Sequence, residues 1–421
     1  MKGRIYDRKI FYGWYIVIAS AILMGVSWGI TLNTASLFVN PISSDLEISR
    51  KLMNVTFSIR SLTQLTISLL FGIILTRFKL SNLMKLSSIV SVLSLYLHSH
   101  IESLGSLYLL TATLGVSTIL LGTMPLSVII NNWFYKKNGT ALGIAFMGSG
   151  IGGMIFNYLV GKWISLYDWR IAYQLLALIF LLSAVPIVFL VLKVNPKDIG
   201  LSAFGLDKAE YPSIKGSDKE DIPGVMLVDA KKTSHFWLLC LTITMFAIPG
   251  NAFLNSVAPH LIDIGYSPTS SANIVALSMG ILALGKIVLG YMFDRLGLRI
   301  STFISSIAVI LGLICLLNAD QYILIGLLII CVGLGSPYLT VAYPIITQKL
   351  YGKKDYNSIY GIFNVAHSMG NIISPLIIGY FYDKSGSYDL SFMIMIVFSV
   401  IGMVSYQALF RKIKSPLEKV S

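Results

Sequence analysis

Apolar residues along this chain gather into blocks of about 20, each long enough to cross a roughly 30 Å hydrocarbon core as a helix. Twelve such blocks are read: about 13–38, 52–74, 82–99, 104–131, 138–163, 171–193, 235–257, 268–293, 299–317, 322–348, 356–381 and 388–411. A membrane β-barrel would need segments of about 10 residues alternating apolar with polar, and these runs do not alternate. The expected fold class is all-α and integral to the membrane, with twelve transmembrane helices.

One extended polar stretch, 194–234, interrupts the blocks and leaves six on either side. The division expected is an N-terminal six-helix bundle over 1–193, a cytoplasmic connecting loop over 194–234, and a C-terminal six-helix bundle with a cytoplasmic tail over 235–421. Such a 6 + 6 arrangement suits transporters made of repeated halves.

The repeat can be tested without gaps. Laying "GIAFMGSGIGGMIFNYLVG" (143–161) over "GIFNVAHSMGNIISPLIIG" (361–379) puts Gly143, Ile144, Gly152, Ile155 and Gly161 on Gly361, Ile362, Gly370, Ile373 and Gly379. Glycines let membrane helices approach closely. Laying "SLLFGIILTRFKL" over "KIVLGYMFDRLGL" puts Gly72 on Gly290 and Arg77 on Arg295. In these registers His367 falls on Ser149 and Lys286 on Ser68, so the second half carries two basic groups where the first has hydroxyls.

Composition agrees with a membrane protein: 55% of the residues are hydrophobic, 12% are charged, and mean hydropathy is +0.77. The first block follows Lys2, Arg4, Arg8 and Lys9, but is far longer than a signal-peptide core of about 7–15 residues, so it is expected to be retained. The net charge of +13 does not come from 194–234, where six Lys face seven Asp and Glu. It comes from the N-terminus, Arg77, Lys79, Lys136, Lys137, Arg295, Arg299, Lys349, Lys353, Lys354 and the tail Arg411, Lys412 and Lys414. With both termini cytoplasmic these all fall on one side, as the positive-inside bias requires. The chain is expected in the cell membrane, in contact with the lipid bilayer and not with nucleic acid.

Cys240, Cys315 and Cys331 show no paired spacing, so neither a disulfide framework nor a zinc site is suggested. His98, His100, His235, His260 and His367 form no metalloprotease-like motif, and no phosphate-binding loop occurs. Neither an enzyme nor an ATP-driven pump is expected, and no cofactor is implied.

Two basic residues lie deep in their blocks. Lys286 precedes Asp294 by eight residues, about 12 Å of helix, and His367 lies about 18 Å into its block. A charge at the bilayer centre costs roughly 2.5–3.5 kcal/mol even on the mild insertion scale and usually marks a pathway or a partner. No Asp or Glu lies mid-block, so a basic site without an acid favours an anionic solute. Lys286 can also be read as a snorkelling side chain, and His367 as a neutral ring bonded within a helix interface. Arg60, about eight residues from the outer end of its block, is read as an outer gate, a snorkelling side chain or a substrate contact.

The chain resembles the major facilitator superfamily over its full length. "GYMFDRLGLR" is similar to the family's G-x-x-x-D-R-x-G loop, in which Asp and Arg pair with helix ends and neighbouring bundles as a latch. That makes Gly290, Asp294, Arg295 and, in the first half, Arg77 gating candidates, although Thr76 stands where the first copy should have an acid. "NNWFYKKNGTALGIAFMGSGIGG" with "YDWR", and the opening "FYGWYIV", resemble monocarboxylate and oxalate/formate porters. Lys286, Gly290 and Asp294 reproduce the spacing at which those porters carry a basic residue, usually Arg. His367 takes the place of a Lys in similar exchangers, and Asn33 that of a Lys in animal-type porters. Leu282 replaces an acid that the animal-type proton mechanism uses.

In this superfamily spans 1, 4, 7 and 10 line the cavity, which makes Asn33, Asn251, Tyr338 and Tyr343 candidate polar contacts as well as candidate structural groups. The resemblance implies a secondary carrier, functional as a monomer, moving a small mono- or dicarboxylate by alternating access, as an antiporter or with protons. A carrier for a drug or peptide, and a non-transporting sensor on the same fold, are the alternatives.

Overall fold

The computed structural model describes residues 11–205 and 224–412. Lys2, Arg4, Arg8, Lys9 and Lys414 lie outside the described residues. Twelve helices are long and apolar enough to span a membrane, numbered here as spans 1 to 12. They are Tyr12–Asp45, Val55–Arg77, Leu80–His98, Leu104–Trp133, Asn138–Leu166, Trp169–Val191, Ser234–Ala252, Ser270–Arg295, Gly297–Leu317, Tyr322–Tyr351, Tyr356–Ser385 and Asp389–Arg411.

Helix faces are sorted as a membrane interior demands. In span 3, Ser87, Ser88, Ser91 and Ser94 are buried, while Leu86, Leu93 and Leu97 on the outside are about half exposed. Small residues face neighbouring helices and branched apolar ones face lipid, since lipid chains already satisfy leucine.

Several spans are not regular throughout. Span 1 widens into a π-helical turn at Gly29–Asn33. Span 10 is interrupted at Ser336 and Pro337. Span 7 continues as a helix, Ser234–Asp263, through Pro249 and Pro259. Span 4 breaks at Leu121 and Gly122, where a Cβ on Gly122 would lie 2.6 Å from the Trp28 indole nitrogen of span 1.

Packing follows the repeat. In the first half, spans 1 and 5, 3 and 6, 2 and 4, 3 and 4, and 1 and 6 lie together. Adding six to each number gives pairs that also pack in the second half: 7 and 11, 9 and 12, 8 and 10, 9 and 10, 7 and 12. The two six-helix halves meet along two seams, span 5 on span 8 and span 2 on span 11, which the same operation interchanges.

The seams carry the gapless register into space. A Cβ on Gly143 would lie 2.3 Å from the Lys286 carbonyl oxygen, and one on Gly361 would lie 2.5 Å from the Ser68 carbonyl oxygen. The residues that meet at one seam are the register partners of those that meet at the other. Backbones this close leave no space for any side chain at either glycine.

The described parts of the connector, 194–205 and 224–234, pack at one end of the bundle, called the connector end. There the Phe204 carbonyl accepts from the Tyr135 N–H at 3.0 Å, and Val225 N–H donates to the Tyr351 carbonyl at 2.8 Å.

Candidate functional site

Lys286 lies in the inner part of span 8, 4% exposed, and reaches across the seam into the other half. Its ammonium donates to the Ser149 hydroxyl at 2.7 Å and to the Phe146 carbonyl at 3.2 Å, both on span 5. The Ser149 hydroxyl in turn donates to the Phe146 carbonyl at 3.0 Å. From span 1, the Asn33 amide donates to the Ser149 carbonyl at 3.0 Å. Two sequence candidates, Lys286 and Asn33, thus converge on one serine from opposite halves.

The partners of Lys286 are all neutral: among the described residues no Asp or Glu bonds to it. An ammonium has three N–H donors, and two are engaged here. A buried cation is usually paired with a counter-charge, and here only neutral dipoles face it.

His367 is placed differently. Its ring lies 5.2 Å, centroid to centroid, from that of Tyr343 on span 10, and its buried Nε2 has no hydrogen-bond partner among the described residues. No hydrogen bond joins His367 to Lys286 among the described residues. His367 belongs to a polar row on span 11 with Asn364, Ser368 and Asn371, at the i, i+3, i+4, i+7 spacing of one helix face. Asn371 accepts a hydrogen bond from the Asn251 amide of span 7, which also donates to the Ala247 carbonyl at 2.9 Å.

The other candidates sit within one half. Tyr338 is fully buried among the rings of Phe246, Tyr343 and Tyr406 in the second half's core. The Arg60 guanidinium donates to the Thr31 carbonyl in the π-helical turn, tying span 2 to span 1.

Nearer the connector end, Asp294 accepts from Gly139 N–H at 2.8 Å, Thr140 N–H at 2.7 Å and the Thr140 hydroxyl at 2.7 Å. Those two amides open the span 5 helix, whose first-turn N–H groups have no carbonyl partner of their own helix and whose dipole favours a negative charge. An acid of the second half therefore caps a helix of the first. Gly290, one turn earlier, makes this reach feasible: a Cβ there would lie 2.1 Å from the Gly139 carbonyl oxygen. Arg295 is exposed and lies over the Tyr291 ring at 5.6 Å, and Arg77 is exposed.

Further bonds between halves extend this plate. The Asn138 amide donates to Gln348, the Lys353 ammonium to the Asn131 carbonyl, and the Tyr356 hydroxyl to Ser127 at 3.1 Å. Burial pushes the Lys353 ammonium down to about 8. Among the described residues, hydrogen bonds between halves lie at the connector end, along the 5–8 seam as far as Ser149, and between Tyr360 of span 11 and Thr123 and Ser127 of span 4. The conformation is sealed at the connector end.

A family profile described as Major Facilitator Superfamily matches residues 17–317 and, in a second match, 239–421. The chain belongs to the major facilitator superfamily. Among its relatives, monocarboxylate transporter 13 of Bos taurus is 23% identical over 93% of this chain and 88% of its own length. Monocarboxylate transporter 12 of Homo sapiens is 24% identical over 73% of this chain and 63% of its own length. The riboflavin transporter RibJ of Trypanosoma brucei brucei is 31% identical, over 39% of this chain. Of solved structures, the proton:xylose symporter XylE superposes with a TM-score of 0.73 at 13% identity, covering 96% of both chains.

Within this major facilitator fold, the glycines of the span 5 signature serve two faces. A Cβ on Gly148 or Gly152 would strike the span 1 carbonyls of Ala21 or Gly25, whereas Gly139 and Gly143 lie against span 8. Ser149, Thr140, Asn371 and the Asn138–Gln348 pair are absent from the sequence-level candidates. Of these, Asn371 carries a sequence signal as a member of the polar row on span 11, and Ser149 as the register partner of His367.

Proposed function

We propose that the chain is a secondary carrier of a small carboxylate anion, and that the Lys286 ammonium is the group that binds it. The observation behind this reading is the buried cation, bonded across the seam only to the neutral Ser149 and Phe146 oxygens. Holding charge at mid-span costs roughly 2.5–3.5 kcal/mol, and a solute carboxylate is the counter-charge the protein does not supply. Relatives named monocarboxylate transporters support the substrate class.

In this reading the carboxylate takes over from Ser149 and Phe146 as the partner of Lys286. The inner tie between the halves is released, and the halves rock about the central site. A ligand shifts such an equilibrium only by its differential affinity for the two states, and Lys286 differs between them in whether Ser149 or the solute holds it. Asn33 borders the same serine, and His367 sets the total charge facing the solute. A neutral ring suits a monocarboxylate; a protonated one suits a dicarboxylate, or a carboxylate carried with a proton. The connector end is the cytoplasmic end, from the charge bias, and the carrier works as a monomer in the cell membrane.

Uptake of labelled lactate, pyruvate and oxalate into proteoliposomes across about pH 5.5–7.5 tests this. Uptake that disappears in Lys286→Ala supports the assignment, and uptake at the wild-type rate in that variant overturns it. The partial likeness to a riboflavin transporter favours a second reading, a larger heteroaromatic solute. Riboflavin uptake with no response to any carboxylate would establish that one instead.

A further inference from the structure

A cleft of about 440 Å³ opens at the connector end between the start of span 3 and the end of span 6, away from the central site. Lys79, Lys85 and Lys193 line it, with Asp198 as its only acid. We propose that this cleft binds the phosphate headgroup of an anionic membrane lipid.

The charge is not balanced within the protein. One Asp198 oxygen accepts from the Asn195 N–H at 3.1 Å, closing a turn, and none of the three lysines forms an ion pair with a carboxylate among the described residues. Lys85 is drawn in from solvent, its ammonium 5.4 Å from the centre of the Phe189 ring. Among the described residues no hydrogen bond or ion pair holds that ammonium.

The cleft is also built rather than incidental. Span 6 leaves the α-helix after Pro186 through a π-helical turn, Ile187–Val191, and turns extended at Leu192. The first half holds that irregular segment at four points. Tyr12 hydroxyl donates to the Val191 carbonyl at 3.1 Å, and the Trp133 indole to the Lys193 carbonyl at 2.8 Å. The Asn132 amide donates to the Val194 carbonyl at 3.2 Å and to the Asn195 side-chain oxygen at 3.0 Å. With its backbone carbonyls bonded, residue 193 is fixed opposite the first turns of span 3.

A free phosphate would satisfy the lysines alone. The rim carries more: Phe189 and the next residue, Leu190, are 37% and 71% exposed. Cations set just above an apolar wall match a phosphodiester with acyl chains below it. Basic pockets between membrane helices recognise headgroups in this way.

The full-length carrier and a K79Q/K85Q/K193Q variant would be placed in nanodiscs of phosphatidylcholine, with or without phosphatidylglycerol. Thermal unfolding and native mass spectrometry of retained lipid are read. For the wild type, phosphatidylglycerol is expected to raise the midpoint by roughly 3 °C and to co-purify. The variant should melt like the wild type in phosphatidylcholine and show neither effect. Equal gains in both proteins would overturn the proposal. So would the same gain from millimolar inorganic phosphate in phosphatidylcholine discs, which would assign the cleft to a soluble anion. If the triple variant does not fold, Lys85→Gln alone must at least halve lipid retention, and unchanged retention overturns the site.

Discussion

At the crossing of spans 5 and 8 the Lys286 carbonyl excludes a side chain from Gly143, and at the crossing of spans 2 and 11 the Ser68 carbonyl does the same to Gly361. The backbones make one contact twice, but the side chains do not. Along the 5–8 seam an ammonium bonds across to Ser149 and an acid caps the opposing helix. Along the 2–11 seam the corresponding positions are Ser68 and Thr76, and the exposed Thr76 hydroxyl donates only to the Ile73 carbonyl of its own helix. At the start of span 11 the Ser358 hydroxyl donates to Asp355 at 2.7 Å, and Asp355 makes no side-chain cap to the helix's first N–H groups. Packing alone therefore shapes both seams, and charge distinguishes the one that an anion can act upon.

The largest effect should follow from removing that charge. Losing one partner of a desolvated charge pair costs on the order of 2–5 kcal/mol, so Lys286→Ala should lower anion uptake at least about 30-fold. Ser68→Ala, at the equivalent place on the neutral seam, should leave it within about twofold; equal losses from both would end the comparison. Next comes Asp294→Asn, which removes the charge from a helix cap worth about 1–2 kcal/mol. Spin labels at Asn82→Cys and Leu296→Cys, with Cys240, Cys315 and Cys331 replaced, would report the separation of the halves at the connector end. A shift of about tenfold toward the open state is expected for Asp294→Asn, and none for Thr76→Ala.

How much of this could be read beforehand depended on the kind of residue. Span number and the repeat register were legible, because a bilayer fixes run length and closely packed helices fix glycines. The depth of Lys286 was legible from its distance to Asp294. Its partner was not, because serine is common in these spans and nothing local marks Ser149. The Asp294 cap was foreseen only as a contact with helix ends; backbone amides of another helix leave no trace in side-chain patterns. Arg295, expected to share in the latch, lies over Tyr291 instead. Pairing His367 with Lys286 rested on similar depth, on the repeat register and on the porter resemblance, none of which fixes the neighbours a side chain meets.

A smaller effect of opposite sign is expected at Ser149. If the solute must displace this hydroxyl, Ser149→Ala removes a competitor while Phe146 still holds the ammonium. A hydrogen bond from a charged group is worth roughly 1.5–3 kcal/mol, and Phe146 retains part of that stabilisation, so anion affinity should rise by up to about tenfold, measured by counterflow half-saturation. A fall in affinity would mean that Ser149 assists the solute.

The smallest effect concerns Lys353, which joins the halves through the Asn131 carbonyl. Burial in the sealed state lowers its ammonium from 10.5 to about 8. When the connector end opens, the side chain regains water and its ordinary affinity for a proton, so between those values the open state binds more protons than the sealed one. Rising pH must then favour sealing by linkage, beginning near 8 and ending near 10.5. Lys353 stays partly exposed, so solvent screening leaves only part of that shift: the same spin-label pair should show the sealed population growing a fewfold over that interval, and Lys353→Gln should flatten the response. Growth of the open population with pH would mean that Lys353 stabilises the sealed state as a cation, joining the charged seam rather than standing beside it.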